Sequence, residues 1–276
     1  GVEDRHQRDL GQVEALAQQV DADQHVEQAE PQLAQELDPP QRPIQQVSAL
    51  TQHPQILRAA RKEVHFFDQH YSRGQTWYTR QFPTCTAEQI TGEASPFYMA
   101  HPLAAQRIAE HCPSVKLLVL LRNPADRAIS HYHQEFRRQH DPLSLQEALI
   151  AEEKRTQADW QALADGKLLT HSAAQRFSYR ERGHYAQQLQ PFLQRFPREQ
   201  IAIYSSEQFF QEPFAVLAPL YRFLGVNPSF QPPDLFPRKP GNYGAADQAV
   251  RQSLVQYYEP HNTALFSLIG QRFDWQ

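Results

Sequence analysis

Three short stretches of this chain hold residue types that could do chemistry together. The first is Arg61–Asp68, RKEVHFFD, with the carboxylate of Glu63 two residues from the imidazole of His65. If Lys62–Phe67 is extended, Glu63 and His65 share one face and Val64 and Phe66 the other. A carboxylate beside an imidazole suits general-base work, though a solvated strand face reads the same way. The second stretch is Leu121–Tyr132, LRNPADRAISHY. An apolar run ends, Arg122 follows, and Asn123 and Pro124 are a good N-cap and first helical residue. Amides at a helix N-terminus favour anions, and a forked guanidinium suits phosphate. Ser130 lies two turns further along, on a face shared with Asp126. An ordinary strand-to-helix junction, with Arg122 paired to a carboxylate, is the alternative. The third stretch is Arg238–Tyr243, RKPGNY, in which two cations, a glycine and an aromatic could close over a phosphate or a purine. A solvated basic turn would look alike. His131 and His133 resemble a metal pair, but at spacing two on a helix they diverge, whereas helical zinc ligands share a face. No metal is expected.

These residues need elements to position them. Val115–Leu121, VKLLVLL, is a continuous apolar run, as in a strand buried on both faces of a parallel sheet. Ile90–Glu93 and Gln200–Tyr204 read as further strands. Helices are expected over Pro102–His111, from Pro124 to about Arg138, over Gly183–Phe196, over Pro213–Leu224 ending at Gly225, and over Gln248–Ile269. Ser144 and Glu147 form a capping box, and the helix they open is expected to run to about Arg155. Residues 156–176 are mixed and read as a substrate loop. Pro228–Tyr243 holds five prolines and reads as loop. Strands alternating with helices imply an α/β domain with a parallel sheet.

Composition divides the chain near residue 50. Residues 1–50 are rich in Gln and Glu and almost free of aromatics; Leu10–Leu37 reads as a weak amphipathic helix ended by Pro39, Pro40 and Pro43. Residues 51–276 carry the aromatics and form the expected domain. With 27 basic and 31 acidic residues there is no footprint for nucleic acid or an anionic membrane. No apolar run reaches the roughly 18 residues of a membrane span, and no signal peptide is visible. Cys85 and Cys112 are the only cysteines, which fits a reducing compartment.

The three stretches, in this order, resemble the PAPS-dependent sulfotransferases, in particular the branch of heparan sulfate sulfotransferases and their bacterial relatives. KEVHFFD at 62–68, Gly74 with WY at 77–78, GEASPFY at 92–98, LLRNPADRAISHY at 120–132, GHY near 183, YRFLGV at 221–226 and YYEPHNTALFSLIGQRFDW at 257–275 carry the likeness. It covers about residues 51–276. It implies a parallel sheet flanked by helices, related to nucleotide kinases, and a donor, PAPS, that leaves as PAP. It implies that Arg122 and Ser130 hold the donor's 3′-phosphate and that the loop with Lys239, Gly241 and Tyr243 closes over that phosphate or the adenine. Glu63 matches the base of the glycan O-sulfotransferases, with His65 orienting or replacing it. Lys62, Trp77 and Tyr98 are expected at the substrate. The acceptor is expected to be a glycan hydroxyl or amine, a carrier-bound hydroxyacyl group or a small metabolite, and the protein cytoplasmic and bacterial.

The family begins with a strand and a Gly-rich loop that cradles the 5′-phosphosulfate and supplies a lysine. Here Pro39–Leu50, PPQRPIQQVSAL, holds neither glycine nor lysine, and the first lysine is Lys62. The first strand is therefore expected to be missing or badly formed and residues 1–50 to pack poorly, as a misread 5′ part of the gene would give. A non-catalytic module that keeps the 3′-phosphate site is the alternative. A kinase-like phosphotransferase is disfavoured, since no Walker loop or Mg²⁺ ligands are present.

Overall fold

The computed structural model describes residues 18–19, 49–235 and 245–275. Its strands are β1 (Gln18–Gln19), β2 (Ile56–Arg58), β3 (Ile90–Gly92), β4 (Leu117–Leu121) and β5 (Ile201–Ser205). Its helices are α1 (Gly74–Thr79), α2 (Ala104–His111), α3 (Pro124–Arg137), α4 (Leu145–Ala164), α5 (Ala173–Phe177), α6 (Tyr185–Arg195), α7 (Ser206–Gln211), α8 (Pro213–Leu224) and α9 (Ala245–Ile269). The architecture is the expected α/β one, with helices flanking parallel strands.

β4 is the centre of the fold. All five of its side chains are buried, and the period-two geometry of a strand divides them. Leu117, Val119 and Leu121 pack on one face with Ile108 of α2, Leu189 and Phe192 of α6 and Leu265 of α9. Leu118 and Leu120 pack on the other with Leu217, Leu220 and Leu224 of α8. Burying each such side chain contributes about 1.5–3 kcal/mol, which explains why an uninterrupted apolar run marks this strand.

Every ladder is parallel. β4 pairs with β5 from Leu117↔Ile201 to Leu121↔Ser205, and β2 pairs with β3 from Ile56↔Ile90 to Arg58↔Gly92. Among the described residues these are two separate sheets, β1-β4-β5 and β2-β3. The edge of β4 away from β5 pairs, among the described residues, with Gln18 and Gln19, opposite Val119 and Leu120. A cavity of about 20 Å³, lined in part by Glu93, Tyr98 and Leu117–Val119, lies between the end of β3 and β4. Ala49 and Leu50 are buried against Ile56 and Leu118, so the packed domain begins before residue 51.

Two expectations fail. Lys62–Phe67 is not extended: Glu63 and His65 both have left-handed backbones, with φ of 50° and 52°. Side chains, not a neighbouring strand, satisfy its amides, as described below. Residues 156–164 are helix rather than loop, because α4 runs on to Ala164. Its buried stripe is Leu145, Ala148, Leu149, Glu152, Thr156 and Leu163. Two polar residues in that stripe hide the helical period. Glu152 is nonetheless matched, its carboxylate accepting from the amides of Arg180 and Glu181 at 2.8 Å.

α9 ties the fold to α3. Arg251 grips Asp126 at 2.6 and 3.3 Å, and His133 lies 2.8 Å from Asp247. Lower down, the ring of Tyr258 lies on Gly183, where a Cβ would come within 2.4 Å of its hydroxyl oxygen. That hydroxyl donates to the carbonyl of Arg180 at 2.8 Å.

Candidate active site

The residues singled out in the sequence fall into two clusters. In the first, His65 lies between two carboxylates. Its Nε2 is 3.0 Å from Glu63 Oε2 and its Nδ1 is 2.7 Å from Asp68 Oδ2. Burial would push the imidazole pKa down. The charges and hydrogen bonds of Asp68, then Glu63, outweigh burial and raise it to about 10. His65 is thus an imidazolium at neutral pH, donating to both carboxylates. The other oxygen of Glu63, Oε1, is buried without a hydrogen-bond partner.

A clamp from GEASPFY holds this loop. Glu93, 5% exposed, accepts from the amide of Val64 at 3.1 Å, from Ser95 Oγ at 2.6 Å and from the Tyr98 hydroxyl at 2.8 Å. Ser95 Oγ accepts from the amide of His65, and the Tyr98 oxygen from the amides of Phe66 and Phe67. Burial raises the pKa of Glu93 against the lowering effect of its Ser95 and Tyr98 hydrogen bonds. Holding two non-glycine residues in the left-handed region costs about 1–3 kcal/mol each, and this clamp offsets it. The structure thus spends Tyr98, expected at the substrate, on the loop backbone: it is 2% exposed. Trp77 is half-buried, with the Arg73 guanidinium 5.0 Å from its ring centre, and Lys62 is exposed.

The second cluster is the junction of β4 and α3. Asn123 Oδ1 accepts from the amides of Ala125 at 3.0 Å and Asp126 at 3.4 Å. These helix amides, expected to meet an anion, are therefore capped by the chain itself. Asp126 is engaged with Arg251. Arg122 is 6% exposed, its carbonyl accepting from the Tyr185 hydroxyl at 3.0 Å, and Ser130 is half-buried on the helix. Lys239, Gly241 and Tyr243 lie outside the described residues. Between the clusters sits Arg182, 7% exposed, its pKa lowered to about 9 by burial and by Arg127 beside it.

Sequence reasoning passed over Asp68 and Glu93. Asp68 carries a local signal, three residues beyond His65. Glu93 carries none, since its partners lie 29 residues back and 2 and 5 residues ahead.

A family model described as "Sulfotransferase domain" matches residues 44–238. The chain belongs to the sulfotransferase family. Heparan sulfate glucosamine 3-O-sulfotransferase 6 of Mus musculus is 30% identical over 250 residues, covering 81% of this chain and 67% of that one. The membrane-associated sulfotransferase kil1 of Dictyostelium discoideum is 26% identical over 295 residues, covering 82% of this chain but 62% of its own length. The chain thus spans about three-fifths of that relative. A sulfotransferase from Alicyclobacillus acidocaldarius superposes with a TM-score of 0.67 at 30% identity, over 83% of this chain and 91% of that one. Among the described residues, no helix is long and apolar enough to cross a membrane and no group of three or more His, Cys, Asp or Glu could hold a metal ion.

Proposed function

We propose that the chain transfers a sulfuryl group from PAPS to an acceptor hydroxyl or amine, with Glu63 as the base. The observation that carries this is the buried Glu63–His65–Asp68 chain, with its one unpartnered carboxylate oxygen. An imidazolium cannot accept a proton, so His65 orients Glu63 rather than replacing it. The acceptor oxygen attacks sulfur as its proton passes to Glu63 Oε1. The sulfur–oxygen bond to the 5′-phosphate breaks, and PAP leaves with the bonding pair. Positioning and charge stabilisation carry such a transfer, as in phosphoryl transfer. Arg122 and Ser130 hold the 3′-phosphate in this scheme, aided by Lys239, Gly241 and Tyr243; Lys62 and Trp77 face the acceptor. The acceptor is a glycan, a carrier-bound hydroxyacyl chain or a small metabolite. The free cysteines, Cys85 and buried Cys112, support a reducing setting such as the cytoplasm.

One observation favours a second reading, a PAP-binding protein without turnover. Pro39–Leu50 offers no glycine or lysine for the 5′-phosphosulfate. Calorimetric titration with PAP, for wild type and Arg122→Ala, tests the donor site; transfer of radiolabelled sulfate from PAPS to hydroxyl acceptors then separates the readings. Binding lost in the variant supports the site, and binding without transfer supports the second reading. A folded wild-type chain that ignores PAP refutes both.

A further inference from the structure

A cavity of about 440 Å³ lies outside both clusters. It opens between α4, the turn at Arg180–Glu181 and Tyr257 of α9. That volume is in the range of small-molecule sites. Its walls have a definite chemistry.

Two aromatic rings, Trp160 and Tyr257, line it, along with the amides of Gln157 and Gln161. Three carboxylates, Glu152, Glu153 and Glu181, line it against a single cation, Arg180. Glu181 is held ionised, its pKa lowered first by a hydrogen bond from His184. Arg180 is already committed, lying over Tyr257 at 5.4 Å and 3.5 Å from Glu152. The local field is therefore negative and repels sulfate or carboxylate groups. One donor on the lining residues, Trp160 Nε1, is buried without a hydrogen-bond acceptor. A buried donor left unmatched costs about 1–3 kcal/mol, so an oxygen-rich ligand gains by supplying the acceptor.

Aromatic walls, carboxamides and the unmatched indole N–H together suit a ring bearing many hydroxyls and no negative charge. The cavity also adjoins the acid cluster. Trp160 stacks on Phe97 at 5.7 Å and 26°, the Arg182 guanidinium lies 5.6 Å from the Phe97 ring centre, and Phe97 precedes Tyr98 of the clamp. One aromatic layer separates the cavity from the residues that hold Glu63.

We propose that this cavity is a sugar subsite, taking a polyhydroxylated residue with no anionic substituent from one end of a glycan acceptor. Only the word acceptor rests on the sulfuryl-transfer reading; the binding itself needs no donor. The subsite favours neutral glycans over sulfated ones, because Glu153 and Glu181 line it while the one lining cation, Arg180, is paired with the buried Glu152.

The test probes the full chain, without PAPS, against an array of neutral, amine-bearing and sulfated oligosaccharides. Retention on neutral or amine-bearing members is expected, falling about tenfold or more in Trp160→Ala. Because Trp160 also packs on Phe97, Gln157→Ala on the exposed face of α4 serves as a second variant and is expected to weaken the same members. Glu153→Lys is expected to shift retention towards sulfated members. Retention of sulfated members alone by wild type overturns the proposal. So does retention unchanged by both Trp160→Ala and Gln157→Ala, or no retention of any member. PAP titration of the same samples keeps the two readings apart: lost PAP binding with intact glycan binding removes the donor site and leaves the subsite standing.

Discussion

The loop at 62–68 and the junction at 121–126 are held in shape by different means. The loop is held from afar: its amides are taken by Glu93, Ser95 and Tyr98, which lie 29 to 32 residues away in the chain. The junction takes its turn from its immediate neighbours, with Asn123 capping the helix and Pro124 starting it, while Tyr185, Glu207 and Arg251 join it to the rest of the fold. A shape imposed from afar can carry strain, and the two left-handed residues show that this one does. A shape imposed locally stays in a relaxed conformation and tolerates loss of distant contacts.

Breaking each region in turn should expose that contrast. Glu63→Gln removes the base without unclamping the loop, so transfer should fall about 10²–10⁴-fold while PAP affinity stays the same; an equal loss of PAP binding would show that the clusters are not independent. Glu93→Ala removes three hydrogen bonds from a buried centre. Denaturant unfolding should show a loss of about 3 kcal/mol or more, and transfer should drop with it. Full activity in that variant would mean that the loop holds its own shape. Arg122→Ala should weaken PAP roughly 10- to 100-fold, read by calorimetry, with a smaller loss of stability than Glu93→Ala.

His65 adds a pH signature that only the loop should have. Its folded pKa, about 10, stands above the ordinary imidazole value of 6.5. The folded state therefore binds the proton more tightly, and the stabilisation is complete below about pH 6.5 and lost as pH rises through 10. The difference in unfolding midpoint between wild type and His65→Gln should shrink between pH 8 and pH 10.5; a constant difference would show that the ring is not charged in the fold. The smallest effect belongs to a locally encoded feature. Ser144→Ala breaks one capping box, and should cost about 1 kcal/mol in thermal unfolding with no change in transfer.

The same contrast explains what could be read before the structure. β4, the Asn123–Pro124 start of α3, the Ser144–Glu147 box and the Gly225 stop are visible because each depends on residues within a few positions. The motif likeness placed Glu63 with His65, and the structure brings them to 3.0 Å, though not by the extended backbone expected. Alternation cannot reveal a loop whose amides bond to distant side chains. Glu93 was missed for that reason. The second half of α4 was missed because Glu152 and Thr156 occupy inward positions where apolar residues are the usual signal.

The close fit of Tyr258 over Gly183 has a consequence for the history of the chain. A residue larger than glycine at 183 cannot coexist with the tyrosine ring, since even a methyl group would overlap its hydroxyl oxygen. The two positions are coupled by size and must drift together. Among descendants of a common ancestor, a bulkier residue at 183 should appear only where the partner at 258 has shrunk. A lineage that changes one alone must pass through a chain whose last helix is pried from the turn that frames the cavity.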